Sequence, residues 1–173
     1  MTVKLLGAVF ILISCSAFGF ALSQKEKYRL SDIEEFKRAV SFYTGCADLM
    51  GFSAEEALYK TAEKTNGAVG KMFRSAAEKA EKREYDSINE IWKKAVRENR
   101  ELSFFEKEDL ESVYSFGAVL GFMDSSEQKR NASVITDELT EREKSIRIKA
   151  EKNQKLIRSS VFLGGMLLCT LLF

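Results

Sequence analysis

The two ends of the chain constrain its fold more than any other feature, because both are apolar and uncharged. Leu5–Leu22 contains eighteen residues without a charge, about the shortest run that crosses a hydrocarbon core of roughly 30 Å as a helix. Val161–Phe173 contains thirteen, which as a helix cover only about 20 Å. We therefore predict a transmembrane helix over 1–23, a central domain over 24–158 and a short transmembrane or membrane-anchoring helix over 159–173. An embedded hairpin or an interfacial anchor is the alternative for the last segment.

The first apolar segment also has two interpretations as a processing signal. Ala21–Ser23 resembles the small-residue cleavage site of a secretory signal peptide, and Leu12–Cys15 resembles a bacterial lipoprotein box. Against both, Lys4 is the only charged side chain before the apolar run. Against the lipoprotein box, the run continues past Cys15 as far as Leu22. We therefore favour an uncleaved helix.

Basic residues are concentrated on the inner flanks of the two apolar ends. They are Lys25, Lys27 and Arg29 after the first end, and Lys149, Lys152, Lys155 and Arg158 before the second. Because basic residues stay on the cytoplasmic side, we expect a protein of the cell membrane whose central domain lies in the cytoplasm. Cys46 is the one cysteine of that domain, which agrees with a reducing compartment.

The balance of charge argues against nucleic acid as a partner. The chain has 27 Lys and Arg against 26 Asp and Glu, a formal charge of +1, whereas nucleic-acid-binding proteins show a positive excess or patch.

The chain has no histidine, which removes the commonest general base and the commonest metal ligand. We therefore predict no catalytic residue, no metal site, no cofactor and no small-molecule substrate.

The central domain shows helical periodicity and no strand alternation, and the absence of proline leaves long helices unbroken. Five apolar-periodic runs begin with a capping residue and a glutamate three positions later, at Ser31–Glu34, Ser53–Glu56, Ser87–Glu90, Ser103–Glu106 and Asp124–Glu127. A further helix, third in order, carries Val69 and Met72, while Gly51 and Gly67 are expected as helix stops. The sequence thus predicts an all-α fold, a six-helix bundle whose last helix continues into the apolar tail.

Three patterns with a chemical interpretation are each better explained by structure. Gly67, Gly70 and Lys71 lack the spacing of a phosphate-binding loop. Cys46 has no histidine to deprotonate it and lies beside the apolar stripe of the first helix, so we expect it in the core. Adjacent carboxylates such as Glu108–Asp109 are typical of a solvated helix face.

Two glycines one helical turn apart, Gly117 and Gly121, require an explanation, because glycine within a helix costs about 0.5–1 kcal/mol relative to alanine. Close approach of a neighbouring helix is the structural interpretation, and a docking surface for a partner helix is the functional one. Trp92 is expected in the core, with a binding hot spot as the alternative. Asp124 is expected to cap the last helix and Gln128 to be solvated, or both to be exposed for a partner.

Four segments of the sequence carry a resemblance to a known family. They are Lys4–Leu12 in the first apolar run, Gly51–Leu58 at a turn, Phe116–Gly121 followed by Asp124 and Gln128, and the apolar tail with its paired glycines. Together they resemble the stage III sporulation protein AB family. The turn is similar to its Gly-x-Pro-Leu-x-x-Ala-Leu pattern, with Ser53–Ala54 in place of Pro-Leu. The third segment, with Leu120 as its leucine, is similar to its Phe-Gly-x-x-Leu-Gly-x-x-Asp-x-x-x-Gln signature.

That resemblance implies a non-enzymatic role in endospore formation. It implies a helical domain similar to the cytoplasmic domains of type II secretion platform proteins. It also implies a scaffold in the mother-cell membrane facing the forespore, within the secretion-like complex that links the two cells during engulfment. The implied partners are a secretion-type ATPase and ring-forming membrane proteins of that complex. The alternative function is a membrane-tethered helical sensor or signalling module.

Overall fold

A computed structural model describes the backbone of residues 2–49, 51–83, 87–121 and 125–172, and side chains between 24 and 152 outside the gaps at 49–50, 84–86 and 122–125. Within those ranges the elements are α1 (Thr2–Leu49), α2 (Ala54–Lys64), α3 (Gly67–Glu81), α4 (Ile88–Asn99), a short 3₁₀ helix (Arg100–Leu102), α5 (Lys107–Leu120) and α6 (Ser125–Leu172). No strand occurs in them. The predicted all-helical fold with six α-helices is confirmed for this part of the chain.

The chain divides into two compact units. One is Tyr28–Glu143, and the other combines the two terminal segments, Met1–Lys27 and Lys144–Phe173. The side chains of the two predicted membrane segments, 1–23 and 159–173, lie outside the described residues. Over the residues that were described, no helix is both long and apolar enough to cross a membrane.

Several predicted helix ends are confirmed. Ser53 precedes α2, where its Oγ accepts a hydrogen bond from the Glu56 N–H at 3.2 Å and the Glu56 carboxylate accepts one from the Ser53 N–H at 3.1 Å. Ser87 precedes α4, and its Oγ accepts a hydrogen bond from the Asn89 N–H. Gly51 follows α1 with a φ of +64°, a conformation that glycine adopts without strain. Helix α6 runs unbroken into the apolar tail as expected.

Two predicted helix starts are wrong. Helix α1 runs straight through Ser31, because a local capping signal does not interrupt a helix that is already propagating in a chain without proline. Ser103 follows the 3₁₀ helix, and α5 begins only at Lys107, with Glu106 as its N-cap. The Glu106 N–H donates to the Asp109 carboxylate at 2.9 Å, so a carboxylate three residues later starts this helix.

Gly67 is also placed differently from the prediction. It is the first residue of α3 rather than the stop of α2, which already ends at Lys64. Its φ of +61° turns the chain between the two helices. The predicted start of the last helix at Asp124 lies outside the described residues.

The core of the Tyr28–Glu143 unit is aromatic. Phe36 of α1, Phe73 of α3, Trp92 of α4 and Phe116 of α5 are fully buried, and their ring centroids lie 4.8–6.3 Å apart. Three of the six pairs meet edge-to-face, an arrangement that aromatic quadrupoles favour, and the other three are tilted. The aromatic core therefore contains one ring from each of four helices, and the four rings contact one another.

Helix α6 is joined to the bundle by charged contacts as well as apolar ones. Leu139 and Ile135 are buried, and the ion pairs that connect the helix to its neighbours include Lys129 with Asp48, Lys37 with Glu143 at 3.0 Å, and Arg142 with Glu108 at 3.6 Å. The first two pairs bind α6 to α1, and the third binds it to α5.

Candidate functional site

Trp92 belongs to the core rather than to a binding surface. Its ring is fully buried, 4.8 Å from the Phe73 ring and 5.3 Å from the Phe116 ring. Its indole Nε1–H donates to the backbone carbonyl of Val113 at 2.7 Å, which satisfies the one polar group of the side chain. This hydrogen bond joins α4 to α5.

Helices α4 and α5 approach each other closely at Gly117. A Cβ at this position would lie 2.5 Å from the Asn89 Oδ1 and 2.9 Å from the Trp92 Cδ1. The Trp92 ring cannot move aside, since its hydrogen bond and its buried neighbours hold it. The structural interpretation of this glycine, close approach of a neighbouring helix, is therefore confirmed.

Gly121 does not share that constraint. A Cβ there would meet only ordinary contacts, the nearest being the Ile88 Cγ2 at 3.6 Å. It ends α5 as its C-cap, with a φ of −89° that any residue adopts. The two glycines of the signature thus have different roles.

Gln128 is buried, which corrects the expectation that it is solvated or exposed to a partner. It is 5% exposed, and its Nε2 donates to the backbone carbonyl of Val119 in the last turn of α5 at 3.2 Å. The neighbouring Leu120 is 3% exposed. A buried amide must find a partner within the protein, and here it fixes the first turns of α6 against the end of α5.

Trp92, Gly117 and Gln128 therefore join α4, α5 and α6 inside the bundle, whereas Gly121 ends α5 at the surface. The described members of the signature are Trp92, Gly117, Leu120, Gly121 and Gln128; Asp124 lies outside the described residues. What brings the described members together is helix packing. The expected partner-binding role of these residues stays a prediction.

A buried ion pair that sequence analysis missed joins α1 to the start of α5. Arg29 donates to both carboxylate oxygens of Asp109, from Nε at 2.6 Å and from Nη2 at 3.0 Å, and to Glu106 from Nη1 at 2.5 Å. Asp109 is fully buried, whereas sequence analysis expected it on a solvated face. Burial alone would lower the pKa of Arg29, but the hydrogen bond and charge of Asp109 raise it above its ordinary value. The spacing of Glu106 and Asp109 hinted at a cap; nothing local pointed to Arg29.

Two more polar residues on the same side of α1 hold loops. Asp32 accepts a hydrogen bond from the Phe104 N–H at 2.8 Å, and Glu35 accepts one from the Asn66 N–H at 2.8 Å. Burial raises the pKa of Asp32, although the Phe104 N–H acts in the opposite direction. With Arg29, these residues recur every third position and lie close to one helix face. That face receives the α2–α3 turn and the loop before α5.

Cys46 lies in the core, as predicted. It is 2% exposed, and desolvation raises the pKa of its thiol, against a smaller opposite effect from the charge of Lys60. A buried thiol with a raised pKa is a poor nucleophile. Among the described residues, no three His, Cys, Asp or Glu side chains are grouped so as to hold a metal ion.

Gly70, part of the pattern that faintly resembles a phosphate loop, has a packing role. A Cβ at this position would lie 2.5 Å from the backbone carbonyl oxygen of Thr65. The glycine therefore lets the first turn of α3 pack directly against the end of α2. This confirms that the pattern has a structural explanation.

An open groove between α2 and α3 is a surface feature that sequence analysis did not identify. Its volume is about 570 Å³, and its lining residues are Phe52, Glu55, Glu56, Tyr59, Lys60, Ala77 and Glu81. Tyr59 is 57% exposed, which is high for an aromatic side chain. Three carboxylates against one ammonium group make the groove acidic, with an aromatic ring beside them.

Comparisons with known proteins agree with one another. Residues 4–173 match the family described as Stage III sporulation protein AB. The Stage III sporulation protein AB of Bacillus subtilis (strain 168) is 25% identical over 169 residues, which cover 98% of each chain. A solved structure of a Stage III sporulation protein AB has a TM-score of 0.64 and 19% identity, and covers 75% of this chain and 98% of the other. The last likeness shows a shared fold, and the resemblance found in the sequence is confirmed.

We predict that Gly117→Ala lowers the free energy of unfolding of the full-length chain by about 1–3 kcal/mol, because the new Cβ overlaps Asn89 and the immobile Trp92 ring. Urea unfolding followed by far-UV circular dichroism measures the change. Gly121→Ala is the matched control, since its Cβ meets only an ordinary contact, and we expect a change within about 1 kcal/mol. Equal destabilisation by the two substitutions would contradict the close approach at Gly117.

We predict that Arg29→Leu lowers the free energy of unfolding by about 3–5 kcal/mol, because it leaves the Asp109 charge buried without a partner. The double variant Arg29→Leu with Asp109→Leu should recover part of the loss. Arg38→Leu is the control: Arg38 is 66% exposed and Glu35 keeps the Asn66 N–H as a partner, so we expect less than about 1 kcal/mol. If both single arginine variants unfold at the same urea concentration, Arg29 does not stabilise the fold in this way.

Proposed function

Because the chain belongs to the stage III sporulation protein AB family, we propose that it is a non-enzymatic membrane scaffold required for endospore formation. In this proposal it lies in the mother-cell membrane facing the forespore, with the central domain in the cytoplasm. It belongs to the secretion-like complex that links the two cells and works as a platform similar to those of type II secretion systems. The family match from residue 4 to residue 173 is the observation that carries the proposal.

The terminal segments support the membrane part of the proposal. The family match includes both apolar ends, and the backbone groups them into one compact unit separate from Tyr28–Glu143. Two apolar segments that share a unit are suited to entering the same bilayer. The basic residues on their inner flanks favour retention of the central unit on the cytoplasmic side.

The interior of the bundle supports a scaffold role. Three of the described signature residues make internal contacts: Trp92 donates to the Val113 carbonyl, Gly117 allows the close approach of α4, and Gln128 donates to the Val119 carbonyl. Side chains used in this way give a rigid body rather than a reaction centre. A rigid body of this kind acts through the surface that it presents to other proteins.

The groove between α2 and α3 is the surface that we propose for a protein partner of the complex. Its exposed Tyr59 ring suits an apolar contact, and the carboxylates Glu55 and Glu81 suit basic side chains around it. Tyrosine is among the residues that dominate binding energy at protein interfaces. The partner expected here presents a basic surface with an apolar centre.

The scaffold role predicts that deletion of the gene blocks spore formation and that restoring the chain rescues it. Tyr59→Ala with Glu81→Lys should fail to rescue and should lower recovery of co-purified complex proteins about tenfold or more, as loss of an interface hot spot does. Val134→Ala with Glu111→Lys likewise removes an exposed apolar side chain and reverses one carboxylate charge, on α6 and α5, and should behave as the wild type. Normal sporulation of the deletion strain would overturn the role. Full rescue by the groove variant would overturn only the binding surface.

The proposed orientation predicts a labelling pattern in growing cells that express the chain. In a background with serine at Cys15, Cys46 and Cys169, a cysteine replacing the exposed Lys64 of α2 should react with a membrane-impermeant maleimide only after permeabilisation. A cysteine replacing Thr2, beyond the first apolar run, should react in intact cells. Reaction of the Lys64→Cys variant in intact cells would reverse the orientation.

A further inference from the structure

The exposed apolar side chains of the Tyr28–Glu143 unit include two contacting rings, Tyr28 and Phe104, and Leu102, two residues before Phe104. The Tyr28 and Phe104 rings stack with their centroids 4.9 Å apart and an interplanar angle of 24°. Tyr28 is 53% exposed, Phe104 is 40% exposed, and the nearby Leu102 of the 3₁₀ helix is 53% exposed. We call Tyr28, Leu102 and Phe104 the aromatic patch.

The aromatic patch is held in place by the polar contacts described above. The Phe104 N–H donates to Asp32, so the backbone beneath the ring is anchored to α1. Arg29, next to Tyr28, is fixed by Asp109 and Glu106. The rings therefore stay exposed in a defined position and do not fold back onto the core. An apolar surface that is held outward in this way is typical of a contact site.

The short distance along the chain between the first apolar run and Tyr28 indicates what the aromatic patch contacts. Tyr28 follows Leu22, the end of the first apolar run, by six residues, which reach at most about 22 Å even when fully extended. Lys25 and Lys27 lie in that short connection, and both are exposed. If the apolar run is in the bilayer, the patch cannot leave the neighbourhood of the lipid headgroups.

We propose that the aromatic patch inserts into the interfacial region of the bilayer that holds the first apolar segment. Tyrosine and other aromatic rings favour that region because one part of the ring is apolar and its edge or hydroxyl is polar. Lysines in the connection add attraction to anionic headgroups. This inference rests on the membrane anchoring in the proposed function and extends it. The patch gives the bundle a second contact with the lipid surface, which sets its orientation there.

Depth-dependent fluorescence quenching tests the inference in the full-length chain. Phe104→Trp is reconstituted into vesicles of phosphatidylethanolamine and phosphatidylglycerol with bromine atoms at the shallow end of the acyl chains. Trp92 is buried and contributes the same background to each variant. We expect the added emission of Phe104→Trp to fall about twofold in brominated vesicles, because a ring in the interface lies within contact range of shallow bromines.

Tyr59→Trp is the matched control. Tyr59 is more exposed than Phe104, 57% against 40%, but its groove is lined by Phe52, whose N–H donates to the Cys46 carbonyl. Cys46 lies eighteen residues beyond Tyr28 on α1, roughly 27 Å along the helix. The added emission of Tyr59→Trp should therefore not be quenched by brominated lipid. Leu102→Trp provides a second reporter if Phe104→Trp does not fold, which the circular dichroism spectrum shows.

The outcomes separate the two proposals. Flotation of the chain with the vesicles, without quenching at position 104 or 102, overturns the aromatic patch and leaves the membrane anchoring in place. A chain that does not float with vesicles overturns both. Emission that shifts to the blue with increasing protein concentration, and is not quenched by bromine, shows that a second copy covers the patch and also overturns the inference.

Discussion

The contact between Arg29 and Asp109 is the interaction on which the arrangement of the helices most depends. It is bidentate and buried, and it connects residues eighty positions apart in the chain. The same carboxylate accepts the Glu106 N–H, so one side chain both starts α5 and attaches it to α1. A buried charge is tolerated only when it is paired and hydrogen-bonded, and Asp109 meets both conditions at once. The loop before α5, and the exposed Phe104 ring that it carries, take their position from this pair together with Asp32.

Helix α1 organises the rest of the Tyr28–Glu143 unit in two ways. Its apolar face supplies Phe36 and Tyr43 to the aromatic core. Its polar positions Asp32 and Glu35 accept backbone N–H groups from two separate loops. Burial alone would raise the pKa of Glu35, but hydrogen bonds from Arg38 and from the Asn66 N–H hold it below its ordinary value. A single helix therefore determines both the packing and the loop positions.

Features with a local cause could be predicted from the sequence, and features with a long-range cause could not. The Ser53 cap and the positive φ of Gly51 depend only on neighbouring residues, and both were found in the predicted place. Gly117 was predictable because a glycine within a helix needs a reason, and close packing is the usual one. Ser31 failed as a helix start because the residues before it are also helical, which a local pattern does not reveal.

The predictions for the polar residues of the candidate site were wrong for a different reason. Whether Gln128 or Asp109 is solvated depends on which helix lies opposite, and helical spacing does not specify the neighbour. Each of these buried side chains has a hydrogen-bond partner on another helix. Gln128 donates to the Val119 carbonyl, and Asp109 accepts from the Arg29 guanidinium. The groove between α2 and α3 escaped prediction in the same way, since its walls come from two helices and the Phe52 turn.

The ion pairs of α6 make its attachment sensitive to ionic strength in a way that the aromatic core is not. Lys129 and Glu108 are largely exposed, so dissolved salt screens their attraction to Asp48 and Arg142, whereas the more buried pair of Lys37 with Glu143 is screened less. Rising salt therefore weakens these two exposed pairs first, while the hydrogen bond of Gln128 to the Val119 carbonyl and the buried apolar residues of α6 keep the helix on the bundle. Salt thus changes how strongly α6 is attached without detaching it.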